Sequence, residues 1–248
     1  MNGKYDSAYF LQFVGNRARK LAYSASFGKT KFNESTIADY KRMLSEYDKI
    51  AVRENSAVTL LHDWGLHNCI GQVLDPTLLL GKEEWKHLMV KDTDCNKYAG
   101  KKYILVYQIH NDPKLSEYAK RLASQVGYEL LRVNPYFHQR IRGGKFICCP
   151  DLGEFLALID NASCIVTDSF HGTCFSINFG KRFIEILPNN ATGTRNQSIL
   201  ELTGLSHRIL RDFNDYSLFD EGIDYDKVQG ILKEEREKSI GVMKELIT

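Results

Sequence analysis

The sequence predicts an α/β protein with parallel sheets, and three observations carry that reading. Short apolar runs rich in Val, Ile, Leu and Tyr alternate with segments of helical periodicity along most of the chain. The helical segments open at capping residues and stop at glycine or a polar break. Each strand-like run leads through a turn into a helix, the order that crossover β–α–β units require. With 248 residues and 43% hydrophobic side chains, the chain can bury one large core or two small ones.

In chain order, "KLAYSASFG" reads as a strand, residues 35–46 as a helix, "KIAVRE" as a strand, residues 56–64 as a helix, and "CIGQVLDP" as a third strand. Three strands are few for such a domain, so residues 1–96 form an incomplete first piece. The polar, Gly-containing stretch "LLLGKEEWKHLMVKDTDCNKYAGKK" separates it from the second, and the boundary falls near Asn96.

The second piece, residues 97–248, is more regular. "KKYILVYQI" reads as a buried strand, followed by a helix that Asp112 caps, Pro113 opens and Gly127 ends. Leu115, Tyr118, Ala119, Leu122, Ala123 and Val126 share one face of it. Strand "YELLRV" follows, then a loop with Arg140, Arg142, Gly143, Gly144 and Lys145, then the helix "DLGEFLALIDNA", where Asp151 and Glu154 have capping-box spacing. Strand "CIVTD", a helix after His171 and strand "RFIEIL" complete a βαβαβ series. Residues 225–247 read as a last helix, with Val228, Ile231, Leu232, Ile240, Met243 and Ile247 roughly on one face, docking back on the body.

Bulk chemistry narrows the function classes. Thirty-three basic against 31 acidic residues leave a formal charge of +2, so any recognition by charge is local. The Arg140–Lys145 cluster lacks interleaved stacking aromatics beyond Tyr136 and Phe137, which excludes nucleic acid as the expected partner. Six cysteines without a C-x-x-C pair, with Cys148 and Cys149 adjacent and Cys69, Cys164 and Cys174 in apolar segments expected to be buried, suit reduced thiols. The opening residues resemble no signal peptide and no 18-residue apolar run occurs, so the expected location is cytoplasmic, with no membrane span. His62, His67 and His87 have no metal-ligand spacing; no metal and no resident cofactor are expected. G-x-G-x-x-G, P-loop and G-x-S-x-G motifs are all lacking, which disfavours a dinucleotide enzyme, a P-loop NTPase and an α/β hydrolase.

The chemistry concentrates in "IVTDSFHGTCFSINFG". A strand ending at Asp168, a turn through Ser169, Phe170, His171 and Gly172, and a helix from Thr173 put free N–H groups and the positive helix end where open α/β sheets bind ligands. There His171 can donate to an anion or act as an acid, Ser169 and Thr173 can donate hydroxyls, and Gly172 admits a ligand to the backbone. A plain strand-to-helix turn, with the histidine on a carbonyl, is the structural alternative. Arg53 ends an apolar strand, where it faces a cleft or pairs with Glu54. Arg195 lies in a Gly-containing loop, as an anion ligand or a solvated charge. Ser24 and Ser26 of "YSASFG" either line a sugar or let a helix pack closely. Asp75 suits a strand-ending turn better than a catalytic acid.

Taken together, "RKLAYSASFG", "KIAVRENSAVTLL", "VLDPTLLL", "KYILVYQI", "EFLALIDNASCIVTDSFHGTCFSINFGKRFI" and "RNQSILELTGL" resemble the polysaccharide pyruvyl transferases, in order and over nearly the whole chain. The resemblance implies two Rossmann-like parallel-sheet domains in a GT-B-like arrangement, phosphoenolpyruvate as co-substrate, and a carbohydrate acceptor that becomes a pyruvate ketal in exopolysaccharide biosynthesis. It places catalytic roles on His171 and Arg53, facing the donor's phosphate or carboxylate, and a donor contact on Arg195; Asp168, Ser169, Gly172 and Thr173 of the turn are the further donor-binding candidates. Ser24, Ser26 and Glu54 become the acceptor-side candidates. Family members usually begin with a further strand–helix region, so this chain reads as an N-terminally shortened member. An oligomer contact or partner chain would then cover the incomplete first sheet. Two other functions compete: a nucleotide-sugar glycosyltransferase, with Glu185 as its ribose-binding carboxylate, and a non-catalytic remnant that binds an anion or a partner.

Overall fold

The computed structural model describes residues 6–15, 18–89, 95–188 and 193–248. Two parallel sheets form in it, one of three strands and one of five. Residues 90–94 of the expected linker and residues 189–192 before Arg195 lie outside the described residues.

The three-stranded sheet runs β1 (Leu21–Ala25), β2 (Lys49–Val52), β3 (Cys69–Gln72), side by side in that order. Helices α1 (Glu34–Leu44) and α2 (Asn55–Asp63) make its crossovers. Asn33 caps α1 by accepting the Thr36 N–H at 2.8 Å. Ile50, Val52, Ala57, Leu61 and Trp64 are buried in one core, and the rings of Phe27, Phe32, Tyr40 and Trp64 pack edge to face and stacked around it. β1 is irregular: its register with β2 shifts between Ala22 and Ala25, and Ser24 takes a left-handed φ of 55°.

The five-stranded sheet contains β4 (Tyr103–Tyr107), β5 (Glu129–Asn134), β6 (Lys145–Cys148), β7 (Cys164–Thr167) and β8 (Phe183–Glu185), ordered β6-β5-β4-β7-β8. β4 is central, and Tyr103 to Val106 are wholly buried, as a parallel strand covered on both faces requires. Strand order reverses between β4 and β7, so the loops leaving these two strands diverge and open a crevice at their carboxyl ends.

The intervening helices are α5 (Pro113–Val126), α6 (Leu152–Asn161) and α7 (Phe170–Asn178). α5 starts and stops as its sequence predicts: Asp112 accepts the Lys114 N–H, and Gly127 closes the helix at φ 70°. α6 has half of the expected capping box. Asp151 accepts the Glu154 N–H at 2.7 Å, but the Glu154 carboxylate turns to Lys97 Nζ and Tyr98 Oη at 2.5 and 2.6 Å.

Several elements differ from the sequence reading. α3 (Pro76–Leu79) and α4 (Lys82–Met89) occupy much of the stretch read as a polar spacer. β6 replaces part of the Arg140–Lys145 loop. α8 (Thr194–Leu202) takes Arg195 into its first turn instead of leaving it in a loop, and Cys69 is only half-buried. The final helix, α9, spans Tyr225–Ile247 as predicted, yet its buried residues are Val228, Leu232, Ser239 and Leu246, with Ile240 and Ile247 exposed. Ser239 holds a core position because its hydroxyl accepts the buried Leu74 N–H at 2.9 Å.

Packing divides the chain into a first unit of Met1–Leu79, Ala191–Ser198 and Lys233–Thr248, and a second of Leu80–Asn190 and Ile199–Leu232. This differs from a single cut near Asn96: two late segments return to the first unit, each contributing side chains to it. Leu246, for example, packs with Ala51 and Val73.

Candidate functional sites in the two units

Each unit gathers polar side chains beyond the carboxyl ends of its strands. In the second unit, β7 ends at Thr167 and the chain turns through Asp168 and Ser169 into α7. Asp168 is buried, and its two oxygens accept the N–H groups of Ile109 and His110 at 2.7 and 3.0 Å. Burial is the largest influence on this carboxyl and raises its pKa, against the pull of those donors and of His110. The His110 Nδ1 stands 3.5 Å from Oδ2. Ser169 caps α7 by accepting the Gly172 N–H at 3.3 Å, while its own N–H donates to Thr167 Oγ1. His171, one residue into the helix, is exposed, its ring edge-on to Phe170 at 5.4 Å.

A cavity of about 440 Å³ opens here, lined by His110, Asn111, Asp112, Pro113, Asp168 and Ile186–Pro188. It lies where the switch-point rule puts a ligand site.

The other expected donor contacts are placed differently. Thr173 is buried, with Oγ1 3.0 Å from Ser169 O and 2.5 Å from Glu185 Oε2, so its single proton serves groups inside the fold. A Cβ on Gly172 would come 2.4 Å from Thr167 Oγ1 and 3.0 Å from Tyr107 Cδ1, so close helix–strand packing is what requires glycine there. Glu185 is itself fully buried, and it offers no surface carboxylate to a ribose. His110 carries the signal that sequence reading missed: it stands one residue past an apolar strand run, the position that drew attention to Arg53.

The first unit has a cluster of its own. Glu54, 1% exposed, accepts from Ser26 Oγ, Phe27 N and Gly28 N through Oε1, at 2.9, 3.0 and 3.2 Å. Its Oε2 is buried and makes no hydrogen bond among the described residues. Arg53 pairs with Asp75 rather than with Glu54, Nη1 to Oδ2 at 2.9 Å. The other Asp75 oxygen caps the turn into α3 by accepting from Thr77 N and Oγ1, the turn role its sequence suggested.

Arg195 lies over Gly28, whose Cβ, if present, would be 3.7 Å from Nε. Burial, then the charge of Arg53, lowers the Arg195 pKa, while Glu54 and Asp75 oppose them. Arg53, Glu54, Ser26 and Arg195, distant in sequence, therefore form one constellation. Ser24 is buried beside it in β1, with its Oγ unpartnered among the described residues.

These features define a doubly wound α/β protein with two parallel sheets, a fold shared by GT-B-like structures. Residues 1–190 match the family model for polysaccharide pyruvyl transferase, and the chain belongs to that family. Comparison with curated proteins returns no match.

Among solved structures, a putative UDP-N-acetylglucosamine 2-epimerase from Listeria monocytogenes is similar at 14% identity and TM-score 0.53, over 89% of this chain and 62% of that one. An S. aureus MnaA–UDP co-structure gives 16% identity and TM-score 0.53, over 87% and 58%. UDP-GlcNAc 2-epimerase from Neisseria meningitidis bound to UDP-GlcNAc gives 11% and 0.53, over 94% and 72%. The chain thus spans roughly three fifths to three quarters of the length of these neighbours, and at such identities the likeness is one of fold.

Proposed function

We propose that the protein transfers the pyruvyl group of phosphoenolpyruvate to a pair of hydroxyls on a saccharide, forming a ketal and releasing phosphate. The observation that carries this reading is the β7–α7 turn of a pyruvyl transferase family member, which presents exposed His171 at a Ser169-capped helix start and whose Asp168 lines the cavity at the strand switch point. A trianionic donor suits helix N–H groups and guanidinium forks.

In the proposed reaction, a proton adds to C3 of the enol, C2 gains oxocarbenium character, and the first acceptor hydroxyl forms a C2–O bond and loses its proton. The C2–O bond to phosphate then breaks, the electron pair leaving with phosphate, and the second hydroxyl adds to C2 and loses its proton, closing the ketal. His171 steadies the departing phosphate or delivers the proton, and neutralising phosphate charge lowers the barrier most. Within the first unit, Arg53 and Arg195 are assigned the cationic charge that the reaction needs, and Ser26 with Glu54 the acceptor side. Asp168 acts through His110 and the loop it holds.

The test is transfer by the purified chain with phosphoenolpyruvate and candidate saccharides, followed by phosphate release and by the ketal methyl signal in NMR. His171→Ala and Arg53→Ala should each lower the rate by about a hundredfold or more, the size expected of a lost general acid or charge-stabilising group. Full transfer by both variants would refute these roles. Stabilisation by a UDP-sugar, with no response to phosphoenolpyruvate, would favour the nucleotide-sugar reading instead.

A further inference from the structure

A second cationic feature lies in the five-stranded unit, on residues that the proposed reaction does not use. Arg132, in the middle of β5, is 1% exposed, and its described hydrogen-bond partners are neutral: Nε donates to Gly143 O at 3.2 Å and Nη1 to Gln108 Oε1 at 3.0 Å. Arg142, the residue before Gly143, donates through Nη2 to Asn111 Oδ1. These contacts close a ring. Gln108 leads in sequence to Asn111, Asn111 holds Arg142, and Arg142 leads to the carbonyl that receives Arg132.

One nitrogen of each guanidinium, Arg132 Nη2 and Arg142 Nη1, is buried with no hydrogen-bond partner among the described residues. Lys120 lies over the same turn, its Cε 2.7 Å from where a Gly143 Cβ would stand. Burial and the charge of Arg142 bring the Arg132 pKa down to about 10, which leaves it cationic at neutral pH.

A buried guanidinium nitrogen without an acceptor is costly, and two on one ring of contacts call for an anion with several oxygens. Asn111 joins the ring to the cavity, which it also lines. We infer that Arg132, Arg142 and Asn111 form a seat for a phosphoryl group of a small-molecule substrate, at the edge of the switch-point cavity. Guanidinium forks fit phosphate oxygens in pairs, which a lysine would not reproduce. The seat does not depend on the pyruvyl-transfer reading. Either a phosphorylated donor or a phosphorylated saccharide supplies the same chemistry.

Calorimetric titration of the full chain with inorganic phosphate tests this. Arg142→Ala removes a half-exposed side chain, and it should weaken phosphate binding by about tenfold or more, as loss of hydrogen bonds to a charged group predicts. Asn111→Asp keeps every guanidinium but hands Arg142 a carboxylate, and it should weaken phosphate to a similar degree; circular dichroism checks that both variants fold. Competition by phosphoenolpyruvate, against competition by a hexose 1-phosphate, identifies which substrate brings the phosphoryl group.

Absence of phosphate binding overturns the inference. So does binding that survives both variants but disappears in His171→Ala, a result that leaves the pyruvyl-transfer reading standing. Phosphate binding that depends on Arg142, in a chain that transfers no pyruvate, supports the seat and counts against that reading.

Discussion

Asp168 holds His110 from two directions: its carboxylate accepts the His110 main-chain N–H at 3.0 Å and lies 3.5 Å from the ring Nδ1. The acid at the end of β7 thereby fixes the loop leaving β4, across the strand switch point. Asp168→Asn keeps one accepting oxygen but turns an NH₂ toward a backbone donor. We expect a loss of about 1–3 kcal/mol in urea unfolding, the cost of leaving one buried donor unpaired. His110 should gain mobility in NMR relaxation.

Glu154 ties Lys97 and Tyr98 to α6, and its pKa lies below the ordinary glutamate range, chiefly through the Lys97 hydrogen bond and then that of Tyr98. A carboxyl whose pKa falls on folding contributes stability that is complete above its unfolded pKa and is lost as pH falls through the folded one. Wild type should therefore lose this increment on acidification below the ordinary glutamate range, and Glu154→Gln should not. Lys97 is largely exposed, so solvent screening limits the increment to about 1 kcal/mol or less. Urea midpoints of the two proteins across acidic and neutral pH would show it.

Gly172→Ala forces a methyl against Thr167 Oγ1, a hydroxyl that also donates to Tyr107 O at 2.7 Å. The neighbours are strand residues with little room to retreat, so the substitution should cost about 1–3 kcal/mol. An unchanged denaturation midpoint would show that α7 can shift away from β7 without penalty.

Ser24→Gly should act in the opposite direction. Ser24 combines a left-handed φ with a buried hydroxyl that has no partner among the described residues. Glycine removes both penalties at some cost in unfolded-chain entropy, and the net gain should be about 0.5–1 kcal/mol. If Ser24 contacts the acceptor, the stabilised variant should also show a raised KM for the saccharide, with kcat little changed.

Strand–helix alternation was legible because parallel strands buried on both faces are continuous apolar runs, and "YILVY" and "CIVT" become β4 and β7. The ends of α5 were legible because Asp112, Pro113 and Gly127 act locally. β6 was not: a four-residue edge strand with only Phe146 and Ile147 as bulky apolar residues has too little pattern to separate it from a loop. α4 was hidden by its polar surface, since Lys82, Glu83, Glu84 and Lys86 read as spacer.

The turn at Asp168–His171 stood out in the sequence as a local motif. What Asp168, Thr173 and Gly172 do there depends on Ile109, Glu185 and Thr167, contacts made by tertiary packing. Arg132, inside the strand "YELLRV", carries no local signal, because its contacts come from Gln108 and from the turn after Arg142.

The return of the last helix to the first unit has a consequence for how the chain is made. Leu246 belongs to the core that contains Ala51 and Val73, and the Ser239 hydroxyl satisfies the Leu74 N–H. These partners are translated after the strands they complete and after the whole of the five-stranded unit. During synthesis the three-stranded sheet must wait, partly uncovered, while the whole five-stranded unit emerges and becomes able to fold as a domain. The second unit is then free to fold before the three-stranded sheet is closed, reversing the order in which the strands of the two are translated.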